Sequence, residues 1–442
     1  MINGDDLLPV SDEETQPHES KLVITKPYED PISPNQNGSE DSNSLNEQQQ
    51  QQQDDGLPPD ASFIINLLSY EKRGEGINAY LVYKIASHVS NVPGYTRSSY
   101  EILRRFSDFL GLREKLVEKY QHTGILVPAA PEKSISALTK TKLNSADEEH
   151  NSNEVVDKRA RDLQRFLRRI ARHPKLVTDC DFRDFITIDG ELPKAAFTSA
   201  LSGSSMKKML KSFGDVFSKI AFPMDENDRW FEQVHSQVDE LDELMGRLLA
   251  GIDQLVLGRK GMTTGHDQFS KALSMLASCE ENTSLARTLS KLSETHENLA
   301  MVGKHMTQED SSILLETIQE HMALTNVLKE VFYERVKAWQ NWQNQVQLLN
   351  KKREIKTRHE LAGNTDRANQ CKNELTDCEN KVDQMEKDFQ NMSNIIRKEF
   401  KRNCQQRRED IKEALLRYME SLIESEKQTL EQWEKFQHEV KS

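Results

Sequence analysis

The chain has 442 residues, of which 36% are hydrophobic and 30% charged, with 18 Gly and 13 Pro, a composition that favours helix over sheet. No run of 18 apolar residues occurs, which excludes a membrane-spanning helix, and Met1–Val10 lacks the basic start of a secretory signal. The formal charge of -13 sits in one place: residues 1–60 hold 14 acids against Lys21 and Lys26, so the rest is nearly neutral and its basic residues are free to meet an anionic surface.

Residues 1–60 are Ser, Asn, Asp, Glu and Gln, with an uninterrupted tract Gln48–Gln53, and hold too few apolar side chains to offset chain entropy. They read as a disordered acidic, Gln-rich tail. Within it, Asp5-Asp6-Leu7-Leu8-Pro9-Val10 has the form of a short docking motif or of chance in a polar segment.

From Ser62 the texture changes. Ser62–Tyr70, Ile77–His88 and Ser98–Arg105 are rich in Ile, Val, Tyr, Phe and Leu and are separated by turn residues, which predicts a three-stranded antiparallel meander. Ser107 is placed to cap a helix carrying Phe109, Leu112, Leu116 and Tyr120. A proline-bounded loop, 127–133, follows; then come a helix over about 153–172 and a shorter one over about 178–188. Residues 61–190 therefore read as a small α+β domain.

Residues 191–224 form a linker with one amphipathic helix. Met206, Met209, Leu210, Phe213, Val216, Phe217 and Ile220 share a face, and Lys207, Lys208, Lys211 and Lys219 lie off it. Such a helix can lie in a bilayer interface, or pack as an ordinary linker on the neighbouring domain.

Pro223 is the last proline, and beyond it the pattern is helical to the end. Leu328, Phe332, Val336, Trp339, Trp342, Val346 and Leu349 make one stripe, and Leu375, Cys378, Val382, Met385, Phe389, Met392 and Ile396 make another at steps of three and four. Breaks at Gly303 with Gln308–Ser311, and at Gly363–Asp366, divide 225–442 into three long helices, rods that need a second copy to complete their cores.

No nucleotide loop, HExxH or GxSxG is present; at His296-Glu297 the second metal-binding position is Ala300. The five cysteines make no CxxC and imply a reducing compartment. No enzyme, metal or cofactor is expected. Two constellations point instead to anions. Arg104-Arg105-Phe106 at a helix start suits a phosphate on a ring, or else two strand-end charges beside a core aromatic. Lys351, Lys352, Arg353, Lys356 and Arg358, and the cluster Arg397–Arg408, suit anionic lipid or are solvated faces; no nucleic-acid reader accompanies them.

Arg104-Arg105-Phe106-Ser107-Asp108-Phe109, then Val127-Pro128-Ala129-Ala130-Pro131-Glu132-Lys133, then Arg159 with Leu163-Gln164-Arg165-Phe166-Leu167, resemble the phosphoinositide-binding PX domain. The resemblance implies that Arg105 grips a 3-phosphate, Phe106 underlies the inositol ring, Ser107 lines the pocket, Lys133 reaches the 1-phosphate and Arg159 holds ring hydroxyls. Ala129 departs from the fuller proline pattern. With Trp339-Gln340-Asn341-Trp342 and Asn350-Lys351-Lys352-Arg353, the chain from about 62 to 440 resembles the PX-BAR sorting nexins of the retromer-associated sorting nexin 1/2 type. That implies an α+β PX domain followed by an all-α BAR domain of three long helices (225–442), forming a dimeric crescent. It also implies basic membrane contacts at Lys351, Lys352 and Arg353, and phosphatidylinositol 3-phosphate and anionic membrane as ligands. The same resemblance gives a homodimer or a heterodimer with another PX-BAR nexin, retromer cargo-recognition subunits as partners, and a place on the cytosolic face of early endosomes. A coiled-coil scaffold whose PX fold binds protein is the competing expectation.

Overall fold

A computed structural model describes residues 57–58, 60–74, 79–131, 146–190, 192, 224 and 228–441, the side chains of 146–154, 365–366 and 368–370 excepted. Lys133 and the amphipathic stretch Met206–Ile220 lie outside the described residues.

Three strands, β1 (Ser62–Arg73), β2 (Tyr80–Ser90) and β3 (Ser99–Arg105), pair antiparallel in the order β1-β2-β3, the meander that the sequence predicts. Asn91 and Gly94 take positive φ between β2 and β3, where the chain reverses. Along β3 the side chains alternate: Tyr100, Ile102 and Arg104 point inward and Glu101 outward.

Helix α1 (Phe106–Tyr120) follows without a loop. Ser107 is not its cap, as the sequence led us to expect. The helix already includes Phe106, and Asp108 accepts the Arg105 backbone N–H at 2.8 Å, so the carboxylate takes the capping role. Helices α2 (Ala146–Arg172), α3 (Pro174–Val177) and α4 (Cys180–Thr187) complete this domain. Its core joins Ile65, Tyr83 and Ile85 of the sheet to Phe109, Leu163 and Phe182 of the helices.

The rest is helical: α5 (Arg229–Cys279), α6 (Thr283–Glu309), a π-turn (Asp310–Leu315), α7 (Glu316–Leu361) and α8 (Thr365–Lys441). Since α6, the π-turn and α7 are continuous, the described residues form three long helical rods, but the first break lies at 280–282, where Asn282 caps α6 through the N–H groups of Ser284 and Leu285 at 3.0 Å. Gly303 does not break the helix. Its missing side chain admits Thr263 of α5, whose Oγ1 would stand 2.7 Å from an added Cβ. The second break, at Gly363, falls where the sequence places it.

The two domains belong to one compact unit, residues 55–442. Leu126, at the start of the proline loop, enters an apolar cluster with Phe231, Val234, Phe332 and Met392 of the rods. Around it runs a polar seam. Arg161 and Arg165 reach Glu316 at 2.7 Å each, Arg169 reaches Glu320 at 2.6 Å and also Asp410, and His173 reaches Glu399 at 3.1 Å.

Candidate phosphoinositide site and comparison with known proteins

The two arginines of the Arg-Arg-Phe run have opposite fates, because a strand turns successive side chains to opposite faces. Arg104 is 1% exposed. Its guanidinium donates to the carbonyls of Phe185 (2.9 Å), Leu103 (2.9 Å), Gly190 (3.0 Å) and Ile188, tying β3 to the end of α4. It is a structural post.

Arg105 faces the other way, its guanidinium 4.2 Å from the ring centroid of Tyr80. It lines a cavity of about 560 Å³ with Arg73, Tyr80, Ser107 and Lys115. Asp108, Asp181, Asp184 and Asp189 line the same cavity, and Lys115 is already paired with Asp181 at 2.8 Å. Arg105 is therefore poised on an aromatic face in a cavity of mixed charge.

Arg159 is placed elsewhere. It projects from α2 with its guanidinium 5.0 Å from the Phe106 ring centroid, and it lines a second cavity of about 620 Å³ with the proline loop. Tyr83 is close by: burial pushes its hydroxyl up from the ordinary phenol value, and the Arg159 charge acts against that rise. The structure thus brings Phe106 together with Arg159, and Arg105 together with Ser107.

The expected membrane-contact residues sit near the end of α7. Lys351 is exposed, whereas Lys352 pairs with Glu374 at 3.1 Å and Arg353 with Glu379 at 2.9 Å, so those two also fasten α7 to α8. In the 397–408 cluster, Arg397 pairs with Asp228 and Arg402 with Glu399, leaving Lys398, Lys401 and Arg408 as its exposed cations.

Sequence reasoning gave no role to Arg161, Arg165 and Arg169 in joining the domains, nor to Tyr80. The signal for the first was available: three arginines at steps of four on α2 match Glu316 and Glu320 at a step of four on α7.

A family model described as "PX domain" matches residues 92–189, and one described as "Vps5 C terminal like" matches residues 206–439, more than half of the chain. Mouse sorting-nexin-1 is 37% identical over 378 residues, covering 86% of this chain and 72% of its own length. The chain is a PX-BAR sorting nexin. Human sorting nexin-1 gives the same figures, and bovine sorting nexin-2 is 38% identical over 372 residues, with 84% of this chain and 71% of its own length covered. Among solved structures, the chain is similar in fold to the SNX-BAR Mvp1 tetramer determined by cryo-EM, with a TM-score of 0.55 and 21% identity over 84% of this chain and 99% of that one. Sorting nexins of this class are non-enzymatic trafficking proteins that sculpt endosomal membranes. Among the described residues no helix of this sorting nexin is long and apolar enough to cross a membrane.

Proposed function

We propose that this sorting nexin is a coat component that binds phosphatidylinositol 3-phosphate on early endosomes, detects and imposes curvature there as a dimer, and serves retromer-associated retrieval of cargo toward the Golgi. One observation carries the reading: Arg159 stacked on Phe106, one residue from Arg105, on a domain fastened to long helical rods. Each of the two guanidiniums lies on an aromatic ring, Arg159 on Phe106 and Arg105 on Tyr80, and guanidiniums offer bidentate phosphate contacts. Dimerisation is supported by apolar side chains left exposed along the rods, Leu248, Leu255 and Met262 of α5 and Leu416, Met419 and Ile423 of α8. A dimer presents two headgroup sites, and effective concentration makes the pair much tighter than either. The amphipathic stretch Met206–Ile220, Lys133 and the exposed Lys351 add interfacial contacts in this reading, and the retromer cargo-recognition subunits are the partners.

A second reading has an observation of its own. Four carboxylates line the Arg105 cavity, a poor setting for a phosphate and a better one for a basic peptide on a scaffold protein. Localisation separates the two. The lipid reading expects Arg105→Ala to disperse the protein from endosomes while its self-association persists; a variant that stays on endosomes favours the scaffold.

A further inference from the structure

The second rod carries one irregularity, the π-turn, beside the PX domain. Leu299, Met306 and Ile313 are buried at intervals of seven, and so are Ile318, Thr325 and Phe332, yet Ile313 and Ile318 are five apart. In an uninterrupted α-helix five residues turn a side chain by about 140°, against about 40° for four, so the two series of seven would lie on different faces. The π-turn Asp310–Leu315 absorbs the additional residue, and the Glu316 N–H closes it by reaching back to the Ser311 carbonyl.

This turn is held from two sides. Asp310, its first residue, is fully buried against Arg259 of α5 at 2.6 Å. From the PX domain, Arg165 donates to the Ser312 carbonyl at 3.1 Å. Glu316, the first residue beyond the turn and only 2% exposed, takes both Arg161 and Arg165. π-turns are among the few causes of a sharp bend in a long helix. Here the PX domain grips that turn, and the gripping helix α2 also carries Arg159.

We infer that the π-turn sets the bend of the second rod, and that Arg161 and Arg165 are the PX residues that fix it, so that they determine the membrane curvature this protein prefers. The inference rests on the membrane-sculpting reading but not on which headgroup is bound. It has a consequence without lipid: freed from Arg165, the turn opens more often.

Two variants of the full chain test it, Arg165→Ala and a deletion of Ser312 that removes the additional residue. In solution, hydrogen exchange of the amides around 308–318 is expected to quicken about tenfold or more in Arg165→Ala, while the sheet amides of 80–90 stay as slow as before. Small-angle scattering of the deletion variant should report a changed maximum dimension. On vesicles of phosphatidylcholine, phosphatidylserine and phosphatidylinositol 3-phosphate, both variants should bind as the parent does. Electron microscopy should then show tubules of a different mean diameter for the deletion and a broader spread for Arg165→Ala. Unaltered exchange in Arg165→Ala, or unaltered dimensions and tubule diameter in the deletion variant, overturns the inference. If the parent protein itself ignores the 3-phosphate lipid, the headgroup reading fails, and the exchange and scattering results still decide this one.

Discussion

His173 and Glu399 stand 226 residues apart in the chain and meet across the domain seam, with the imidazole Nε2 at 3.1 Å from each carboxylate oxygen. The histidine tautomer follows from its other nitrogen: Nδ1 accepts the N–H groups of Lys175 and Leu176 at 3.2 Å, so Nε2 carries the proton and donates it to Glu399. Burial acts to raise the Glu399 carboxyl. His173, Arg402 and the Leu126 N–H act the other way and prevail, holding it below the ordinary 4.5. A depressed carboxyl stabilises the fold above its unfolded value and loses that contribution as the pH falls through the folded one. We therefore expect Glu399→Gln to cost about 3 kcal/mol near pH 7, as breaking a buried pair does, with the difference from the parent shrinking below about pH 4.5. Urea denaturation at pH 7 and pH 4 measures both; a difference that is the same at the two pH values contradicts the assignment.

The neighbouring arginines should separate cleanly in experiment. Arg104→Ala leaves four carbonyls without their donor and should cost about 3 kcal/mol or more. Arg105→Ala removes a partly exposed side chain and should leave the melting temperature within about 2 °C of the parent. Thermal denaturation of both variants checks this; equal destabilisation would mean that Arg105 too is structural.

His321 of α7 is 1% exposed, and burial first, then the charges of Arg169 and Arg407, lower its affinity for a proton, while Asp410 opposes them. Because the unfolded chain takes up the proton near pH 6.5, the depressed group stabilises the fold above that value and weakens it as the pH falls. The apolar variant His321→Leu should lose part of the decline in melting temperature between pH 7 and pH 5. An identical slope in both proteins would show that the histidine is not its source.

Gly124 has φ +96 and lies against α8, where an added Cβ would be 2.9 Å from the Met392 carbonyl oxygen. Gly124→Ala meets both backbone strain and a contact that backbone cannot relieve, so a loss of at least about 2 kcal/mol is expected at the junction of the domains. Limited proteolysis near residues 121–131 should quicken; unchanged cleavage and stability would mean that the junction yields easily.

Much of this fold is legible in the sequence because periodicity carries it. The step-two pattern of β3 even separates Arg104 from Arg105, since Tyr100, Ile102 and Arg104 share the inward face. The long helices follow from stripes such as Leu375 to Ile396. Gly303 misleads because a glycine in a helix can serve a neighbour's approach as well as a break, and only the presence of Thr263 decides between them. The real break rests on one capping residue, Asn282, in a polar stretch with many equivalents. The placing of Arg105 and Arg159 in different cavities was beyond the sequence, because it depends on which ring each guanidinium meets, Tyr80 on the neighbouring strand for one and Phe106 for the other. The seam of arginines and acids left a trace in its matching steps of four on α2 and α7, but its pairs lie 150 or more residues apart, so the pattern alone did not join them.

On the proposed function, Arg105 reads a 3-phosphorylated lipid for a protein that bends membranes. Co-sedimentation with liposomes, with and without phosphatidylinositol 3-phosphate, for the parent and Arg105→Ala, followed by electron microscopy of the pellets, tests it most directly. Lipid-dependent pelleting and tubules are expected for the parent, and loss of both in the variant. Equal pelleting of the two proteins whatever the lipid would contradict it.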